Sequence, residues 1–235
     1  MAYNSFQRVN YQSTSNYYRM DKWLKELMEK PLIACDFEVS PKWSQMELEH
    51  EKELLATYDT TDWYKRTESL QKLNAEGLSN PYLTIPTHLS IAWSNQDAYV
   101  FILTNEQVRT DICYWLVNFP NTQIWHNAGY DFSYIMHYTN ELPKYFEDTQ
   151  LLAKSLLNHV EHVKCITKLK KLEGHRYGDW AISKDEFKLE EQFNTTMLQY
   201  AATDACAAFD LYLNIIHDLE QTGQQNESNR SIACM

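Results

Sequence analysis

The chain has 235 residues, 44% of them hydrophobic, and a formal net charge of −11. That length supports one sizeable α/β core, and no apolar run approaches the roughly 20 residues of a membrane-spanning helix. The acidity counts against a broad grip on duplex nucleic acid, which needs a basic face, but not against a pocket for a few nucleotides in which metal ions supply the positive charge.

The five cysteines, Cys35, Cys113, Cys165, Cys206 and Cys234, are scattered and never form a Cys-x-x-Cys pair. This argues against a disulfide framework and against a zinc site. The N-terminus is polar and tyrosine-rich, without the apolar stretch of a signal peptide, so a cytoplasmic setting is expected.

Residues 1–20 show no period and read as an irregular arm. Asp21 is the expected cap of a short helix to about Met28, stopped by Pro31. Leu32 to Glu38 reads as the first strand, an apolar run that ends in Asp36-Phe37-Glu38. Side chains alternate faces along a strand, so Asp36 and Glu38 share a face about 7 Å apart. Residues 41–80 form an insertion-like block with two helical runs, read as a solvated hairpin, with a docking surface or a lid over the acidic pair as the other reading.

From His88 the pattern switches to strands. His88–Trp93 and Ala98–Leu103 are joined by a polar turn and predict an antiparallel hairpin beside the first strand. Glu106 to Phe119 is an amphipathic helix stopped by Pro120. Thr122 to Trp125 reads as a short buried strand, followed by the loop His126-Asn127-Ala128-Gly129-Tyr130-Asp131 and a helix from Phe132 to Tyr138. Phe146 to Thr149 is read as the start of a helix that runs from Gln150 to Leu157. Lys164 to Leu172 is basic and helical, Gly174 to Trp180 a loop, and Lys184 to Gln192 a short helix. Thr195 to about Leu219 is the longest helical run. Gln221 to Met235 is a polar tail expected to be disordered. The expectation is a single domain over residues 1–220.

Acidic residues stand out at three places. Asp36 and Glu38 end a strand, Asp131 follows a glycine turn, and Asp204 lies in an alanine-rich helical face where an unpaired charge is costly. Tyr200 is one turn from Asp204 and points the same way. Gathered in one α/β core, the four carboxylates form a plausible two-metal site, with ions about 3.5–4 Å apart clamping the attacking and leaving oxygens of a phosphodiester. An all-oxygen donor set suits magnesium or manganese rather than zinc.

Asp36-Phe37-Glu38, then His126 to Asp131, then Tyr200-x-x-x-Asp204 resemble, in order and spacing, the three exonuclease motifs of the DEDD superfamily, tyrosine subclass. The segment Glu147 to Asn158 resembles the connecting segment in proofreading domains of family-A DNA polymerases. The resemblance spans residues 32–216. It implies a ribonuclease-H-like exonuclease fold, with a mixed central sheet flanked by helices and a helical insertion after the first strand. It also implies stepwise removal of 3′ nucleotides as 5′-monophosphates with two Mg2+ or Mn2+ ions. By resemblance Asp36, Glu38, Asp131 and Asp204 are the metal-binding carboxylates, and Tyr200 stands beside the attacking water. Glu38 also approaches the terminal 3′ hydroxyl, and Asn127 and Tyr130 match positions that contact the nucleotide strand.

Two departures from that pattern bear on substrate and partner. The 41–80 block is longer than the usual link, and no polymerase module follows. The expectation is therefore a stand-alone, phage-encoded exonuclease in the host cytoplasm, acting on single-stranded or frayed 3′ ends of DNA beside a separate DNA polymerase. An RNA 3′ exonuclease of ribonuclease D type and a non-catalytic polymerase-associated subunit are the alternatives.

Aromatic residues flank the acidic ones. Phe37, Trp125, Tyr130 and Phe132 are candidates to stack on terminal bases, Tyr130 foremost. The basic cluster Lys164, Lys168, Lys170, Lys171, His175 and Arg176 reads as a solvated helix face, with a track for single-stranded phosphates as the other reading. His126 is expected to pack or bond locally.

Overall fold

Strand β2, Leu32–Pro41, lies inside the sheet and carries the Asp-x-Glu pair. The computed structural model describes residues 9–41, 84–156, 168–177 and 194–222. In chain order these form β1 (Asn10–Thr14), α1 (Tyr17–Met28), β2, β3 (Thr84–Ala92), β4 (Asp97–Ile102), α2 (Glu106–Asn118), β5 (Thr122–Trp125), α3 (Ala128–Thr139), β6 (Phe146–Asp148), α4 (Thr149–Leu156), α5 (Leu169–Tyr177) and α6 (Thr195–Thr222).

The six-stranded sheet has the order β1-β4-β3-β2-β5-β6. β3 is antiparallel to both β2 and β4, while β1–β4, β2–β5 and β5–β6 are parallel. This is the mixed α/β architecture expected, with helices on both faces.

Strand alternation sorts the core into two layers. Ile33, Cys35 and Phe37 of β2 point with Leu89, Ile91 and Phe101 toward α1, α2 and α3. Ala34 points with Ala92, Ala98 and Val100 toward α6, α5 and α4. Ala201, Ala202, Ala205 and Cys206 of α6 are fully buried. Small side chains let this helix lie close across β2, β3 and β4, which decides where Asp204 ends up.

Several local expectations need correction. The arm is not irregular throughout: Asn10–Thr14 adds an edge strand beside β4. Its burial alternates only weakly, so its polar sequence carries little period. Helix α1 begins at Tyr17 rather than near Asp21, because Asn16 caps it by accepting from the Arg19 N–H at 3.0 Å. Phe146–Asp148 is strand β6, paired with β5, and the helix starts only at Thr149. Helix α5 continues past Gly174 to Tyr177. The first predicted strand is therefore the second in the chain.

The helical readings over 42–80, the segment 184–192, Lys164, the side chains of His175 and Arg176, and the tail from 223 lie outside the described residues. Among the described residues no helix is long and apolar enough to cross a membrane.

Candidate metal centre

Asp36 and Glu38 project from β2 toward α6, on the face opposite Phe37. Asp204 meets them from α6. Ligand oxygens of Asp36, Glu38 and Asp204 lie within 4.8 Å of one another. The cross-strand neighbour of Asp36 is Ser90 and that of Glu38 is His88, so these β3 side chains flank the acidic pair. The register shifts between Glu38 and Val39, a bulge at the end of the site.

Asp131 joins from the other side and is not one of the close trio. It occupies the first turn of α3, where the helix dipole favours an anion. β2 pairs with β5 only through Ala34. Beyond that point Asp131 takes up a strand amide, its Oδ1 accepting from the Phe37 N–H at 3.1 Å.

The electrostatics follow from burial. Asp36 is pushed well above the usual carboxylate range by desolvation, then by the charges of Glu38, Asp204 and Asp131. Glu38 is pushed well up by desolvation and by Asp204. Burial raises Asp131 to about 8, although the backbone N–H groups of Phe37 and of Asp131 itself oppose the shift. The site thus repels further negative charge, and the Lys170 charge only partly offsets the raised values of Asp36 and Glu38.

Its donor set fits a divalent cation. Glu38 Oε1 is buried and has no hydrogen-bond partner among the described residues. Such an orphaned carboxylate oxygen is costly, and a hard cation satisfies it.

Tyr200 lies one turn before Asp204 and is half-buried. Desolvation and the charges of Asp204, Glu38 and Asp36 raise its phenol above the ordinary value, so it stays protonated at neutral pH. Lys170 of α5 donates to the Tyr200 hydroxyl at 2.7 Å and to both oxygens of Asp204 at 3.1 Å. The sequence reading puts Lys170 on a solvated helix face or along a phosphate track, not against Asp204. One lysine among several gives no signal in the sequence, because its role depends on how α5 is set against α6.

The other candidates separate cleanly. Tyr130 is half-buried, its ring 5.7 Å from that of Tyr134. Asn127 is exposed, caps α3 in the left-handed region at φ 66°, and makes no side-chain cap bond. Phe37 is a correction: only 3% exposed, it packs at 6.0 Å from Trp125 in the core below the site, where a base does not reach it. Its backbone, not its ring, meets the site. Trp125 and Phe132 are core residues too, and stack on each other edge to face at 5.5 Å.

The capping of α3 falls to a residue outside the predicted set. Asp148 Oδ1 accepts from the N–H of Asn127 at 3.0 Å and Oδ2 from that of Ala128 at 2.9 Å. The same Oδ1 accepts from the Gln150 N–H at 2.8 Å, at the start of α4. One side chain ends β6 and holds two helix N-termini. The sequence reading puts it only at the start of the helix that follows.

His126 bonds locally. Its Nδ1 lies 2.8 Å from Thr149 Oγ1, whose own proton goes to the Trp125 carbonyl at 3.1 Å. That assigns the ring proton to Nδ1. Burial lowers the ring to about 4, so it is neutral near pH 7.

No family model matches the chain, and no curated relative does. Solved structures do. NrnC of Brucella melitensis with bound Mg2+ superposes with a TM-score of 0.52 at 15% identity, over 96% of this chain and 88% of that one. The catalytic core of RRP6 from Trypanosoma brucei matches at 0.64 with 11% identity, over 94% of this chain and 51% of that one. RNase D of Escherichia coli, an exoribonuclease involved in structured RNA processing, matches at 0.51 with 14% identity, over 96% and 49%. At these identities the likeness shows the fold: a ribonuclease-H-like exonuclease fold, with its six-stranded sheet and flanking helices.

Proposed function

We propose that the chain is a divalent-metal-dependent 3′–5′ exonuclease that trims single-stranded nucleic acid ends, with RNA as its principal substrate. The observation that carries this is the convergence of Asp36, Glu38 and Asp204 to within 4.8 Å. They meet on a fold shared with structures named as exonucleases. The RNA assignment is supported by RNase D, whose description names an exoribonuclease, and by NrnC, also solved bound to pGG.

Asp36, Glu38 and Asp204 would hold Mg2+ or Mn2+, with Asp131 adding negative charge beside them. When bound, such ions lower the pKa of water and neutralise charge on a phosphodiester in transit. The chain's own groups do the rest. Tyr200, protonated, orients an oxygen through its hydroxyl and does not act as a base. Asn127 and Tyr130, which match strand-contacting positions by resemblance, would meet the last nucleotides, and Asp148 holds the N–H groups of Asn127 and Ala128. With a net charge of −11 the grip is confined to a few nucleotides at the end.

A second reading, removal of mismatched 3′ nucleotides from DNA beside a separate polymerase, draws on the resemblance of Glu147 to Asn158 to proofreading domains. The test compares 5′-labelled single-stranded RNA and DNA of one sequence, with Mg2+ and with Mn2+. A ladder shortening from the 3′ end, faster on RNA, is expected. Faster loss of DNA, sharpened by a terminal mismatch, favours the second reading. Intact strands with both metals overturn both.

A further inference from the structure

Lys170 takes up an unusual share of this site. Its ammonium lies 3.1 Å from each oxygen of Asp204, so it faces the carboxylate symmetrically. It also donates to Tyr200 and sits 4.4 Å from the centre of that ring. The Asp204 side chain is 9% exposed and that of Lys170 33%, so the pair is closed on the carboxylate side and partly open on the lysine side. Its neighbours Lys168 and Lys171 are exposed.

We propose that Lys170 is the resident counter-ion of the metal-free site, and that it competes with the divalent cation for Asp204. This rests on reading the carboxylates as a metal site, and adds how that site is kept before the metal arrives. The lone pairs of Asp204 that accept from the ammonium are those a divalent ion needs. A doubly charged ion at that carboxylate meets the ammonium at like-charge contact, so one displaces the other. Lysine suits the exchange: a compact charge on a flexible four-carbon stem withdraws by rotamer change, without moving the backbone of α5. The open side of the pair is the route it takes. The buried acidic cluster is thereby partly compensated before metal binds, at the cost of weaker metal affinity.

The test is calorimetric titration of Mn2+ into wild type and into Lys170→Met, which keeps the stem and removes the charge. Competition predicts tighter Mn2+ binding in Lys170→Met, about tenfold, the scale of an ordinary coupling between sites. It also predicts a lower melting temperature for metal-free Lys170→Met, recovered by Mn2+. Unchanged or weaker Mn2+ binding overturns the proposal and makes Lys170 a strut that holds Asp204 for the metal. A wild-type chain that binds no Mn2+ overturns the metal-site reading as well. Should Lys170→Met fail to fold, lysine-selective NMR of the wild-type chain serves. The Lys170 ammonium signal shifts toward that of a free lysine as Mg2+ is added, and a signal that stays in place overturns the exchange.

Discussion

Asp131 reaches across from α3 to accept the Phe37 amide at 3.1 Å, binding to the strand between the two acidic residues that strand presents. The contact makes Asp131 both a charge of the site and a brace for β2. The two roles separate by substitution. Asparagine keeps an acceptor for the amide and removes the charge, while alanine removes both.

Asp131→Asn is expected to fold normally and lose about 100-fold or more in hydrolysis, the upper range for groups that support a metal site. Asp131→Ala loses activity equally but leaves the Phe37 N–H buried and unpaired, a cost of about 1–3 kcal/mol. Denaturant melts of the metal-free proteins check this, with Asp131→Ala less stable than Asp131→Asn. Equal stability would remove the bracing role. Wild-type turnover in either variant would remove the site.

The pH dependence of metal-free stability carries a definite sign. Asp36, Glu38 and Asp131 are all raised in the folded chain, Asp131 to about 8. The folded state therefore binds protons more tightly than the unfolded one. That contribution is full below the ordinary carboxylate pKa near 4 and is lost as pH climbs through the folded values. His126, lowered from 6.5 to about 4, acts oppositely: its contribution is present above 6.5 and lost on acidification through 4. Between pH 6.5 and 8 the histidine contribution is constant and the carboxylates dominate. With chelator present, the melting temperature should fall across that window, and added Mg2+ should flatten the fall. A rise with pH in chelator would contradict the buried, repelling cluster.

The sheet was legible where strands alternate strongly. β2, the β3–β4 hairpin and β5 lie close to where periodicity places them, because each buries at least one full face. β1 and β6 escaped, the first a polar edge strand and the second three residues paired on one side with β5. Asp36, Glu38, Asp131 and Asp204 are legible as charges on otherwise apolar or turn-forming stretches. Lys170 and Asp148 were not, since a lysine among lysines and an aspartate at a helix start look ordinary until tertiary packing points them inward. Phe37 misled for the opposite reason: adjacency in sequence to two site residues puts a strand residue on the other face.

Tyr200→Phe separates orientation from proton abstraction. The phenol is raised above its ordinary value by burial and by Asp204, so it enters the reaction protonated. Removing the hydroxyl takes away one hydrogen-bonding group, worth about 1–1.5 kcal/mol, or roughly tenfold in rate. Loss of a catalytic base would cost about 10²–10⁴-fold and alter the alkaline limb of the rate profile. Pre-steady-state hydrolysis should therefore fall modestly, with a profile of unchanged shape.

Asp148 makes the most informative structural variant, because it stands outside the carboxylate cluster yet supports the turn that carries Asn127 and Asp131. Its two oxygens accept from Asn127, Ala128 and Gln150, so Asp148→Ala strips the caps from α3 and α4 together. A lost cap costs about 1 kcal/mol, and buried amides left without acceptors add to it, giving about 2–4 kcal/mol in all. Asn127 holds a left-handed backbone with no cap of its own, so that turn is the first part to loosen. Looser placement of Asn127 and Tyr130 should raise KM for oligonucleotides more than it lowers kcat, with Mn2+ affinity nearly unchanged because Asp36, Glu38 and Asp204 are untouched. Urea melts and steady-state kinetics on short strands check both halves. A collapse of Mn2+ binding in Asp148→Ala would mean that Asp131, through this turn, is held for the metal as closely as the trio itself.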